Sequence, residues 1–118
     1  MPVTAQYSLI VSMDVEPDKV ALFNEVYDTE HIPLIEEVPG VVSVTRLKAE
    51  PFQVKGGGKI QDIPLGDGPA YTAIYEIDDP AVLVSDAWEA AVEAGRWSSE
   101  VRPFTSNRQF SLKANIGS

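Results

Sequence analysis

The sequence predicts an α+β domain of the split βαβ, or ferredoxin-like, kind. Its βαββαβ order gives a four-stranded antiparallel sheet with two helices on one face. Three observations predict it. Residues 5 to 15 and 70 to 77 alternate apolar and polar side chains with period two, as half-buried strands do. Two helical segments, opened by Glu16-Pro17-Asp18 and by Asp78-Asp79-Pro80, lie between the strand segments. A chain of 118 residues, 44% hydrophobic and 23% charged, is large enough for one core and too short for two. The whole chain, 1–118, therefore reads as a single domain.

The first strand sends Tyr7, Leu9, Val11, Met13 and Val15 to the larger core, and Ser8, Ile10, Ser12 and Asp14 to a mixed second face. Acids in the first turn of the next segment suit the helix dipole, and Val20, Phe23, Val26 and Tyr27 form its apolar stripe. Pro33 lacks an N–H and pushes Ile32 away from helical angles, which predicts a break or restart near His31. Leu34 and Ile35 fit one further turn, ended by Pro39-Gly40. Val41 to Ala49 is a second strand with Arg46 near its far end. Residues 51–68 are too long for an ordinary connection, and their glycines, Gly56-Gly57-Gly58, suit either a small hairpin or a mobile cover. A third strand carries Tyr71, Ala73, Tyr75 and Ile77 on one face. The second helix is expected to run from Asp79 to Ala94, burying Val84, Ala87, Trp88 and Ala91, with Gly95 as its stop. A last strand is entered at 101–103 and continues through Phe110, Leu112 and Ala114. Such a sheet leaves one face bare, and Ile10 there predicts cover by a second copy of the chain.

Net charge is −9, from 18 acids and 9 bases, which argues against nucleic acid and against anionic membrane surfaces as partners. There is no cysteine, so disulfides, thiolate metal sites and a cysteine nucleophile are excluded. The first residues show no basic start or apolar leader, and no run approaches the roughly 20 apolar residues of a membrane span. These features predict a cytoplasmic protein.

The chemistry concentrates between Asn24 and Gly40. Asn24, Tyr27, Asp28 and His31, at i, i+3, i+4 and i+7, share one side of a helix beside its apolar stripe. His31, the one histidine, has an ordinary pKa near ~6.5, suited to taking and returning a proton. It equally suits capping a helix end or bonding the backbone near Pro33. Asn24 and Tyr27 are placed to orient the imidazole or hold a substrate oxygen, although Tyr27 also fits a core role. Tyr71 and Tyr75 read as core lining, and as pocket lining where a pocket exists. Arg46 fits an ion pair better than an anion site, and Trp88 and Trp97 fit packing of the second helix better than a pocket wall. Gly56-Gly57-Gly58-Lys59 lacks the spacing, the following hydroxyl and the helix of a phosphate loop. One histidine among Asp28, Glu30 and Glu36 makes no recognised metal set, which leaves a single haem-ligating histidine as the open case.

The motif Asn24-x-x-Tyr27-x-x-x-His31-Ile32-Pro33-Leu34, followed by Val38-Pro39-Gly40-Val41, resembles the EthD-like branch of the dimeric α+β barrel superfamily. That resemblance implies a homodimer whose two sheets pack face to face as a barrel, with a pocket between sheet and helices in each subunit. It implies cofactor-independent dehydratases, isomerases, cyclases or monooxygenases acting on small, often aromatic molecules, with haem binders and proteins without known activity among the relatives. In several catalytic relatives the histidine of this motif is the acid/base residue, which maps onto His31. The expected function is a cofactor-independent lyase or isomerase acting on a small, partly apolar molecule. A non-catalytic ligand-binding or stress-related dimer and a haem-binding oxygenase are the alternatives.

Overall fold

A computed structural model describes residues 4–117. Strands β1 (Tyr7–Val15), β2 (Val41–Lys48), β5 (Tyr71–Ile77) and β6 (Thr105–Ala114) form one antiparallel sheet in the order β2-β5-β1-β6. This is the predicted ferredoxin-like arrangement: the two central strands, β1 and β5, are the ones whose sequences alternate most cleanly. Leu9, Val11 and Met13 of β1 and Ala73, Tyr75 and Ile77 of β5 are buried on the same face. Phe23, Val26 and Ile35 from the first helical region and Ala91 from the second belong to the same core. The opposite face carries hydroxyls, with Ser12 and Thr72 bonded at 2.9 Å and Ser43 donating to Glu76 at 2.7 Å, around Ile10, Ile74 and the half-exposed Leu47.

Among the described residues, the strands β3 (Phe52–Gly56) and β4 (Lys59–Ile63) pair only with each other, so the glycine-rich segment is a hairpin. Gly57 and Gly58, at φ +60° and +77°, supply the two left-handed residues that a tight two-residue turn needs.

The first helical region restarts after His31, as expected, but Ile32 does not leave helical angles there. Helix α1 (Val20–Val26) runs through a π-helical turn, Tyr27–His31, into α2 (Ile32–Glu36) without leaving helical angles. Ile32 itself is helical, at φ −60° and ψ −50°, and its N–H bonds to the carbonyl of Tyr27 five residues back. The extra residue in the turn shifts the carbonyl that a proline ring would otherwise strike. The missing N–H widens the helix instead of breaking it.

The second helix is shorter than expected. A 3-10 turn over Pro80–Val84 stops at Ser85, which is extended (φ −82°, ψ 154°) and accepts a 3.1 Å bond from the Trp88 N–H, so that α3 (Asp86–Glu93) has its own N-cap. This phase change turns Val84 and Ala87 outward, Val84 to 86% exposure, and buries Val82 in their place. The last strand also starts later than expected, at Thr105, because the chain stays helical through a second π turn, Trp97–Val101, and a 3-10 turn, Arg102–Phe104.

Gly40 closes the turn from α2 into β2 at φ +94°, its carbonyl accepting from the Asp78 N–H at 3.0 Å. A Cβ there would strike the Val82 methyl and lie 2.9 Å from Asp78 Oδ1. Gly40→Ala is therefore expected to cost about 2 kcal/mol of stability, from left-handed strain plus overpacking. Urea unfolding checks this, and a loss below about 0.5 kcal/mol would mean that the turn readily shifts aside.

Candidate functional site

Two π turns meet over the sheet, and their meeting creates the site. In the first, the wide turn places Tyr27 and His31 side by side, both buried, at 2% and 4% exposure. In the second, Trp97 stacks on His31, with ring centres 4.7 Å apart and planes at 28°, and meets Tyr27 edge-on at 5.2 Å. Tyr27 also stands edge-on to His31 at 4.9 Å. The residues just before the two key rings lock the turns together. Glu30 accepts from the Arg96 backbone N–H at 3.0 Å and from its Nε at 2.6 Å, and Arg96 reaches Glu25 at 2.8 Å. That guanidinium holds the Glu30 carboxyl below the usual carboxylate range.

A cavity of about 250 Å³ opens beside these rings. Leu9 and Val11 of β1, with Tyr75 of β5, come from the sheet; His31, Tyr27 and Trp97 come from the π turns; Leu83, Trp88 and Val92 come from the second helical region. Arg108 and Phe110 of the edge strand β6 complete the wall. The lining is largely aromatic and aliphatic with a few polar groups, the usual make-up of a small-molecule site.

Burial dominates the titration of the polar groups. It draws His31 from its ordinary 6.5 down to about 4, and the nearby Arg102 and Arg108 guanidinium charges add to the effect. The ring is neutral at pH 7. Its Nδ1 is buried and has no hydrogen-bond partner among the described residues. The Tyr27 and Tyr75 hydroxyls bond to each other in a short contact. Burial pushes Tyr27 up to about 12, against the lowering effect of that bond, and holds Tyr75 well above its ordinary value. Two O–H groups sharing one bond leave one O–H free to donate elsewhere.

The structure thus brings together His31, Tyr27 and Tyr75. It does not bring Asn24 or Tyr71 to them. Asn24 Oδ1 accepts from Arg46 at 2.7 Å, and Arg46 also pairs with Asp28 at 2.9 Å. The guanidinium lies over the rings of Phe23 and Tyr27, and neither it nor Asn24 lines the cavity. Tyr71 packs edge-on against Phe23 at 5.0 Å and lines a separate shallow depression with Asn24 and Arg46. Arg46 is ion-paired, as its surroundings in the sequence suggest.

Trp97 and Trp88 are more than packing: Trp97 lies beyond α3, in its own π turn, and both indoles face the cavity. Arg108 and Phe110 were missed as wall residues. The available signal was parity, because Arg108 shares the core-facing register of Phe110 and Leu112, an odd place for a cation. Among the described residues no group of three or more acids or histidines is placed to hold a metal, and no helix is long and apolar enough to cross a membrane.

No family model matches the sequence, and no curated protein matches it. Solved structures do. An EthD family protein from Bacillus halodurans is 12% identical, with TM-score 0.57, over 93% of this chain and 99% of that one. The haem degrader MhuD from Mycobacterium tuberculosis, with two haems bound in its active site, is 12% identical, with TM-score 0.61, over 95% and 97%. A candidate antibiotic biosynthesis monooxygenase from Nitrosomonas europaea is 15% identical, with TM-score 0.55, over 94% and 99%. The chain has the ferredoxin-like α+β fold of these proteins, and the EthD-like resemblance of its motif holds at the level of fold. That fold carries small-molecule chemistry in at least one of them, the haem degrader.

Proposed function

We propose that the cavity binds a small, partly apolar molecule and that His31 moves a proton on it, in a cofactor-independent lyase or isomerase. One observation carries this reading: a neutral imidazole with an unmatched buried nitrogen lines a cavity that also holds a phenol pair with a spare O–H. His31 is wholly in its free-base form near neutrality, so it is ready to accept a proton. Its basicity is low in the empty site because burial penalises the imidazolium. Negative charge developing on a substrate beside the ring favours the imidazolium and restores that basicity. The spare O–H of Tyr27 or Tyr75 donates to the oxygen on which the charge collects. Asn24 and Tyr71, outside the cavity, would act only through Arg46 and Phe23.

The test is hydrogen–deuterium exchange at the carbon beside the carbonyl of an enolisable aryl ketoacid, phenylpyruvate, followed by NMR in D2O. The protein is expected to accelerate exchange, with His31→Gln lowering the rate roughly 100-fold and Tyr75→Phe lowering it by less. Exchange that His31→Gln leaves unchanged would sink the proton-transfer role and favour a ligand-binding protein.

The haem degrader of the same fold raises the oxygenase alternative. His31, neutral and with an unpartnered buried nitrogen, would be the residue to hold haem iron, but the cavity does not suit the porphyrin. At about 250 Å³ it falls below the roughly 300–1,000 Å³ of drug-sized sites.

The working unit in this reading is a homodimer, with Ile10, Ile74 and Leu47 of two sheets packed face to face. Sedimentation at micromolar concentration should then give twice the 12.9 kDa chain mass, and a lone monomer would contradict it.

A further inference from the structure

We infer that Arg108 is the anion anchor of this cavity and that the ligand is a small aryl or conjugated carboxylate; the inference rests on the cavity being a ligand site. The chain has four arginines. Arg46 pairs with Asp28, Arg96 with Glu25 and Glu30, and Arg102 with Glu93. Arg108 alone has no carboxylate within ion-pair distance among the described residues, in a chain with two acids for every base. It stands at the cavity wall instead, its guanidinium 5.2 Å from the centre of the Phe110 ring.

The backbone before it is shaped for that placement. Asn107 and Arg108 together oppose Met13, because the pairing of β1 with β6 shifts register between Ser12 and Asp14. Asn107 takes φ +52°, the one positive φ outside glycine among the described residues, and its amide donates to Asp14 at 3.2 Å. Such a bulge bends an edge strand and re-aims a side chain, and left-handed strain at an asparagine persists where the surroundings hold it. Here both act on the residue that delivers the cation.

The chemistry of the ligand follows from what surrounds the cation. A guanidinium presents a planar fork of N–H donors that matches a carboxylate in two parallel bonds. The rings of Trp88, Trp97, Tyr75 and His31, set beside the aliphatic Leu9, Val11, Leu83 and Val92, favour a flat conjugated body. At about 250 Å³ the cavity takes one or two fused rings. Arg108 is in this account a binding and specificity residue, and the proton transfer remains with His31.

The test compares matched pairs by calorimetry on the full chain: benzoate with benzamide, cinnamate with cinnamamide, and 1-naphthoate with 1-naphthamide. Wild type is expected to bind at least one acid about tenfold more tightly than its amide. Arg108→Gln should remove that preference by weakening the acid and leaving the amide unchanged, while Arg108→Lys keeps part of it. Arg108 is solvent-exposed, so neither variant threatens folding. Equal binding of acid and amide, or a preference that survives Arg108→Gln, overturns the anchor while the ligand site stands. Binding of no member of any pair overturns both.

Discussion

Trp97→Ala is expected to cost about 4 kcal/mol of stability and to return the His31 pKa toward 6.5. The indole is buried to 2% exposure and contacts three other rings, those of Phe23, Tyr27 and His31. Removing it leaves a hole that the two π turns, held by Glu30 and Arg96, cannot collapse to fill. A loss of this size is a large part of the roughly 5–15 kcal/mol that holds a domain together. Burial is the main cause of the depressed imidazole pKa, so water entering the hole lets the ring charge more easily. Urea unfolding and an NMR titration of the ring read the two effects separately. A loss under about 1.5 kcal/mol with an unmoved pKa would show that Trp97 is not the wall that keeps His31 dry.

Stability is also expected to fall by about 3 kcal/mol as pH drops from 6.5 to 4, through His31 alone. In the unfolded chain the ring binds a proton near 6.5, and in the folded protein it does so only near 4. The unfolded state therefore holds more protons between these values, and acid favours it. The full contribution is present above pH 6.5, is lost progressively down to about 4, and changes no further below that. A displacement of this size converts at 1.36 kcal/mol per pKa unit. Glu30, Glu76 and Glu93, whose carboxyls are held below 4.5, lose their contributions only below that value. The upper part of the window thus belongs to the one histidine. His31→Gln should flatten the stability profile between pH 6.5 and 4.5, and a wild-type profile already flat there would contradict a buried neutral ring.

The sheet was legible because its two central strands, β1 and β5, bury one face each and so must alternate. The motif from Asn24 to Gly40 likewise holds Tyr27 and His31, two of the rings that line the cavity. The restart near His31 was legible, but the expected displacement of Ile32 from helical angles failed, because a proline inside a helix has two outcomes, interruption or widening. The packing of Tyr27 and His31 against Trp97 accompanies the second. Ser85 shows the same limit in α3: a serine inside an apolar run becomes a cap only when the chain before it stops, and Val82 burying itself in place of Val84 stops it. Asn24 and His31 lie two turns apart on a helical wheel, and nothing in that spacing shows that Arg46, from β2, engages Asn24. Arg108 was hidden for a related reason. Its meaning depends on a bulge and on the absence of an acid nearby, and both are properties of the folded chain.

The most direct measurement is the NMR titration of the single imidazole, without ligand and with a saturating aryl ketoacid. A pKa near 4 in the free protein, moving upward when the ligand binds, would establish a dry, neutral histidine whose basicity is restored by substrate charge. A ring that titrates near 6.5 and does not respond to any ligand would contradict the account at its centre.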